Sequence, residues 1–208
     1  MENKLIIANR LLETGAVKLR PDNPFTWASG WKSPIYCNNR EALFYQDLRS
    51  LIIAEFCKLV VQYNPDVVVG VSTGGIAWGA IVAEKLGYPY ASVRTEAKDH
   101  GMKSKIDGVI PITSRVVVIE DLISTGGSSL KAVETLREYV GASVLCVAAI
   151  FTYEFPQAIS AFKESNCELK TICDYSTLLK AAYNKGAFKE KERDLLCKWR
   201  ESPDTWGR

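Results

Sequence analysis

Several things are scarce in this chain. It has one histidine, His100, and its six cysteines (Cys37, Cys57, Cys146, Cys167, Cys173 and Cys197) never form a Cys-x-x-Cys pair. That spacing argues against a zinc site or a disulfide frame, and several of the thiols fall in apolar runs, as buried reduced cysteines of a cytoplasmic protein do. Neither charge is in excess. Lys and Arg number 26 against 24 Asp and Glu, a net charge of +2, which gives no argument for bulk affinity to nucleic acid or membrane. No apolar stretch approaches a membrane span, and the opening MENKLIIANR is too short in apolar residues for a signal peptide. Internal repeats and low-complexity linkers are absent too. What remains is 208 residues, enough for one α/β domain with a sizeable core.

Periodicity supplies an order of elements. Residues 3–14 read as an amphipathic helix ending at Gly15. Residues 18–40 are rich in turn formers and aromatics, which predicts short strands and loops in a small lobe before the main domain. A helix over Gln46 to Tyr63 follows, then a buried strand, Val67–Val71, and a glycine turn (STGGIAWGA) opening a helix to Leu86. Tyr90–Arg94, Arg115–Ile119 and Ser143–Thr152 read as further strands, and Phe155–Ser165 as a helix. Strand alternating with helix implies an α/β fold, a doubly wound, mostly parallel sheet. Ligands of such sheets bind at the carboxyl ends of the strands.

The most informative run is VVVIEDLISTGGSS, residues 116–129. Val116 to Ile119 suit a strand covered on both faces. Ser124 to Ser129 are small enough for the backbone to turn tightly and approach a ligand. Leu130 to Tyr139 has helical spacing, with Ser128 or Ser129 as N-cap. A loop of free N–H groups at a helix start is an anion site. Two carboxylates, Glu120 and Asp121, stand at its mouth. An anion alone would not want them there; a ligand with phosphate and also ribose hydroxyls or Mg²⁺ would. The segment TEAKDHGMKSKIDG, residues 95–108, is polar and aperiodic, as lids and binding loops are. It follows Arg94 and carries Lys98, His100, Lys103 and Lys105 against Glu96, Asp99 and Asp107.

VVVIEDLISTGGS resembles the phosphoribosyl diphosphate (PRPP) signature of type I phosphoribosyltransferases: four apolar residues, two acids, two apolar residues and a small glycine loop. VRTEAKDHG at 93–101 is similar to the catalytic lid of orotate phosphoribosyltransferases. FTWASGWKSPIYCNNR at 25–40 looks like that family's N-terminal hood, with its core at Ser29, Gly30, Ser33 and Pro34. The resemblance implies a type I phosphoribosyltransferase fold in one domain over 1–208, with a hood at about 1–40, a core at about 41–173 and an extension at about 174–208. It leaves no room for a fused decarboxylase, so a monofunctional enzyme of pyrimidine (UMP) synthesis is implied.

The same resemblance implies roles. Glu120 and Asp121 would take the 2- and 3-hydroxyls of the ribose of PRPP. The N–H groups of Ser124, Thr125, Gly126, Gly127 and Ser128 would hold its 5-phosphate, and Ser124 would also reach orotate. Arg94, Lys98 and His100 would contact the diphosphate across a homodimer interface. Mg²⁺ would ride mainly on PRPP oxygens, with no direct protein ligand required. Some family positions differ here. Thr95, Ala28 and Gly74 stand where many members have lysine, and Thr152 or Tyr153 where some have an arginine for the orotate carboxylate. Lys32 and Arg40 are further candidates for that carboxylate. The alternative within the fold is a non-enzymatic PRPP-sensing regulator that binds RNA, for which the near-neutral composition offers no basic face. Transferases for purines and uracil lack the hood pattern.

Overall fold

The computed structural model describes residues 2–95 and 105–207. Helix α1 (Glu2–Glu13) turns Ile7, Ala8 and Leu11 inward at helical spacing and stops at Gly15, whose φ of +76° no β-carbon opposes. Four short strands follow: β1 (Val17–Leu19), β2 (Phe25–Thr26), β3 (Lys32–Ser33) and β4 (Ile35–Cys37). They form two antiparallel pairs, β1 with β4 and β2 with β3. A 3-10 turn over Asn39–Leu43 leads into α2 (Gln46–Tyr63), which ends in the left-handed Asn64 before Pro65.

The core then alternates: β5 (Val67–Val71), α3 (Gly74–Leu86), β6 (Tyr90–Val93), β7 (Ile106–Asp107), β8 (Arg115–Ile123), α4 (Gly127–Val140), β9 (Ser143–Thr152), α5 (Pro156–Glu164), β10 (Leu169–Asp174), α6 (Tyr175–Asn184) and α7 (Glu190–Glu201). The main sheet has the order β10-β9-β8-β5-β6-β7, all parallel except β7. Val67 to Val69 and Val116 to Ile119 are buried. Each such side chain contributes about 1.5–3 kcal/mol, and helices on both faces exclude water from them.

Chain order fixes where a ligand can enter. From β5 the chain crosses through α3 to β6 on one side; from β8 it crosses through α4 to β9 on the other. Both crossovers are right-handed by the general rule, so α3 and α4 lie on opposite faces. The adjacent strands β5 and β8 are therefore the switch point, where the crevice opens.

Two expectations are corrected. The motif strand does not stop at Ile119 but runs to Ile123, because β9 goes on pairing with it at Glu120, Leu122 and Ile123. The helix after it begins at Gly127 rather than Leu130, and no serine caps it. Gly126 takes the cap at φ +84°, a conformation that lets the strand enter the helix directly. A smaller difference lies at 95–108, where Ile106 and Asp107 pair antiparallel with Val93 and Ser92.

Candidate functional site

Strand β5 leaves β8 early. Its pairing ends at Gly70 against Ile119, and it then turns away through Ser72 to Gly75. Residues 120–123 of β8 keep β9 on one edge and are released on the other, which makes the crevice. Because neighbours on a strand face opposite ways, the two acids part here. Glu120 turns to the α4 face, where the Ser129 hydroxyl donates to its Oε2 at 3.2 Å and the Asp121 N–H to its Oε1 at 2.9 Å. It is only 5% exposed, and burial, with the Asp121 charge second, pushes its carboxyl up to about 9. Asp121 turns to the other face and is half-buried. Its carboxyl lies over the first turn of α3, so close that a β-carbon on Gly74 would stand 2.2 Å from it. The positive end of a helix suits that carboxylate. A lysine at position 74, as in other members of the resembled family, would not fit this arrangement.

The loop Ser124 to Gly127 has the makings of an anion site. Neither α4 nor α3 has an acid in its first turn or a side chain capping it, so the leading N–H groups are left for a ligand. Gly126 is backed by Phe162 of α5, at 2.9 Å from a notional β-carbon, whereas Gly127 and Ser128 face outward. Across the crevice the buried Ser72 hydroxyl has no hydrogen-bond partner among the described residues.

The hood closes the crevice from above and forms a cleft of about 250 Å³. Thr26, Trp27, Ala28, Tyr36 and Cys37 line it from the hood, and Leu122, Ser124 and Tyr153 from the core. Among the described residues, no charged one lines it. The donors are neutral: Tyr153, only 2% exposed, keeps its phenol proton because burial raises it well above the ordinary range, and burial does the same for the Cys37 thiol. One cation stands a single bond away. Lys32 Nζ donates to Thr26 Oγ1 at 2.8 Å, across the β2–β3 pair. A hydroxyl that accepts from an ammonium is a stronger donor with its own hydrogen. The buried Asn39 ties hood to core, its Nδ2 donating to the Asp121 carbonyl at 2.6 Å.

Sequence-predicted residues therefore divide. Glu120, Asp121 and Ser124 to Ser128 meet around one crevice. Arg94 stands at the end of β6 with its guanidinium on Asp107 Oδ2, at 2.8 and 2.6 Å, across the β6–β7 pair. Lys98 and His100 lie outside the described residues. Among the carboxylate candidates, Tyr153 lines the cleft and Lys32 reaches it through Thr26. Thr152 is engaged instead by the Glu154 N–H, and Arg40 is exposed on the 3-10 turn. Reasoning from sequence missed Asn39, Ser129 and the Trp27–Tyr36–Cys37 lining. Only a polar pair, Asn38–Asn39, among hood aromatics hinted at the first.

Asp121 and the Ser124 and Thr125 hydroxyls are hard oxygen donors, which suits a Mg²⁺ ion that brings oxygen ligands of its own. Among the described residues, no three His, Cys, Asp or Glu side chains gather closely enough to cage a metal. No described helix is long and apolar enough to cross a membrane.

Residues 40–172 match the family described as the phosphoribosyl transferase domain. Over 204 residues the chain is 48% identical to an orotate phosphoribosyltransferase of Porphyromonas gingivalis, covering 97% of each. Over 203 residues it is 47% identical to one from Phocaeicola vulgatus, covering 97% of this chain and 95% of that one. The crystal structure of orotate phosphoribosyltransferase from Aeropyrum pernix superposes with a TM-score of 0.76 at 29% identity, over 88% of this chain and 99% of that one.

Proposed function

The chain belongs to the orotate phosphoribosyltransferases, within the phosphoribosyl transferase domain family, and from that premise we propose that it transfers the 5-phosphoribosyl group of PRPP to orotate, giving orotidine 5-monophosphate and diphosphate. One observation carries the reading on the geometric side. Ser124 belongs both to the anion loop and to the hood cleft, so a flat ring in the cleft would lie next to a sugar whose phosphate sits on the loop.

The residues divide the work. N–H groups of Ser124 to Ser128 hold the 5-phosphate, and Asp121 accepts from a ribose hydroxyl at the open edge of β8. Glu120, deeper and already bonded to Ser129, takes the lesser share of the ribose. Thr26, Tyr153 and Ser124 donate to the polar edge of orotate, with Lys32 behind Thr26 offsetting the carboxylate charge. The ring nitrogen forms its bond to C1 as the C1–diphosphate bond breaks, and the electron pair of that bond leaves with the diphosphate. Holding both partners in line supplies much of the rate. Arg94, Lys98 and His100 stabilise the charge that grows on the leaving group, an interaction strongest in the transition state. Bound with PRPP, Mg²⁺ supplies further neutralisation of that charge. No covalent enzyme nucleophile is needed. In this proposal the protein is a cytoplasmic homodimer whose lid serves the partner subunit's site, and nucleic acid and membrane play no part.

Incubation with PRPP, Mg²⁺ and orotate tests it, with loss of orotate absorbance as the readout and uracil, adenine and hypoxanthine as controls. Consumption of orotate alone is expected. PRPP binding with no turnover of any base would overturn the transferase reading in favour of a sensor.

A further inference from the structure

Trp199 lies on α7, in the C-terminal segment that carries none of the motifs described above, yet it is fully buried. It meets both aromatic walls of the hood cleft edge-on. Its ring stands 5.8 Å from Trp27 at 88° and 5.5 Å from Tyr153 at 89°. Trp27 comes from the β2–β3 turn and Tyr153 from the loop after β9, so one side chain joins the hood wall to the core wall. Its indole N–H donates to the Lys32 carbonyl at 3.2 Å, on the strand whose side chain supports Thr26.

The hood wall needs such support. Strands β2 and β3 are two residues each, too short to hold a hairpin in place by themselves. Trp27 is instead fixed by its neighbours: its indole N–H donates to the Ile35 carbonyl, and its ring rests on Tyr153, Phe155 and Trp199. On the core side, Glu154 sits at φ +58° between Tyr153 and Phe155. Its carboxylate accepts from the N–H and the hydroxyl of Ser176, and Arg200 of α7 bonds both that hydroxyl, at 2.8 Å, and Glu154, at 3.4 Å. Helix α7 is thus docked on the turn that carries one wall while its tryptophan abuts the other.

We propose that Trp199 is a positioning residue for the base subsite: it sets how the Trp27 and Tyr153 walls stand relative to each other, and thereby how tightly the flat base is held, without touching it. The inference rests on the orotate reading of the cleft. It assigns the C-terminal segment a part in substrate selection, with little bearing on the phosphoribosyl half of the site.

Steady-state kinetics of Trp199→Phe test this, with orotate and PRPP varied separately and thermal unfolding measured alongside. Leu196→Val is the control, since Leu196 is equally buried on the same helix but carries no ring to set edge-on against Trp27 and Tyr153. Trp199→Phe is expected to raise KM for orotate roughly fivefold, the worth of one edge-to-face aromatic contact, with kcat and KM for PRPP within about twofold of wild type. Leu196→Val should leave KM for orotate near wild type even where it lowers the melting temperature. Equal KM values for orotate in the two variants, raised or unraised, would overturn the positioning role. If Trp199→Phe does not give folded protein, Arg200→Ala carries the test by undocking α7 from Glu154. A KM for orotate raised about two- to threefold is then expected, on the scale of a partly exposed ion pair, and an unchanged value overturns the proposal. Failure of the wild type to consume orotate would be a different result, overturning the functional reading itself.

Discussion

The side-chain amide of Asn39 donates to the main-chain carbonyl of Asp121 at 2.6 Å, across 82 residues of sequence. It joins the hood to the released edge of β8 at the residue that faces the crevice. The carbonyl it satisfies has no β5 partner, because β5 has already turned away. Cys37 adds its thiol to the Asn39 Oδ1 at 3.2 Å.

Asn39→Ala should therefore loosen the hood and expose an unmet carbonyl in one step. A buried donor removed from its acceptor costs about 1–3 kcal/mol, so a fall in melting temperature of roughly 2–12 °C is expected in a chain of this size. KM for orotate should rise with it. Unchanged unfolding would show that water replaces the amide at no cost.

Glycine 74 and glycine 127 make a matched pair. A methyl at Gly74 meets the Asp121 carboxyl at 2.2 Å, whereas the nearest atom to one at Gly127 is Thr125 Oγ1 at 3.8 Å. Gly74→Ala should displace Asp121 and cut kcat/KM for PRPP to the level of Asp121→Asn, roughly ten- to a hundredfold, the range of a lost charge-assisted hydrogen bond. Gly127→Ala should stay within a few-fold of wild type. The comparison is read by kinetics on protein shown to be folded.

Glu120 gives a pH signature. Its folded pKa is raised to about 9 from 4.5, chiefly by burial, so between those values the folded state keeps a proton that the unfolded state has lost. The slope of stability against pH follows protons bound unfolded minus protons bound folded, which is negative here. This carboxyl's contribution thus falls as pH rises from about 5 toward 9. Glu120→Gln mimics the protonated form and removes the titration. Its melting temperature relative to wild type should climb between pH 5 and pH 8, by about 2–4 °C for each kcal/mol of linkage. Parallel curves would place the Glu120 pKa in the ordinary carboxylate range.

A shared site predicts complementation. A lid-dead subunit, Lys98→Ala with His100→Ala, and a cradle-dead subunit, Asp121→Asn with Gly126→Val, should each be nearly inactive as homodimers. A mixed dimer would hold one site with both lesions and one with neither, and should recover up to about half of wild-type activity. Verified heterodimers as inactive as their parents would mean that each lid serves its own subunit.

Much of the fold was open to inspection in the residues themselves. Helix α2 and strands β5 and β9 have the ends that periodicity predicts, because long apolar runs bounded by turn formers leave few alternatives. The run from Val116 to Ser129 announced a strand, two acids and a ligand-ready loop. Its details were decided elsewhere. Only pairing with β9 carries β8 on to Ile123, and only the early departure of β5 opens the edge where Asp121 stands. Adjacent in sequence, Glu120 and Asp121 looked equivalent. The pleat sends one into a low-dielectric pocket beneath α4 and the other over the start of α3, and it is that burial, invisible in one dimension, that raises the Glu120 carboxyl. Trp199 shows the limit most plainly. No local pattern distinguishes it from any other apolar residue of an amphipathic helix, because its partners, Trp27 and Tyr153, are brought to it only when hood, core and tail pack together.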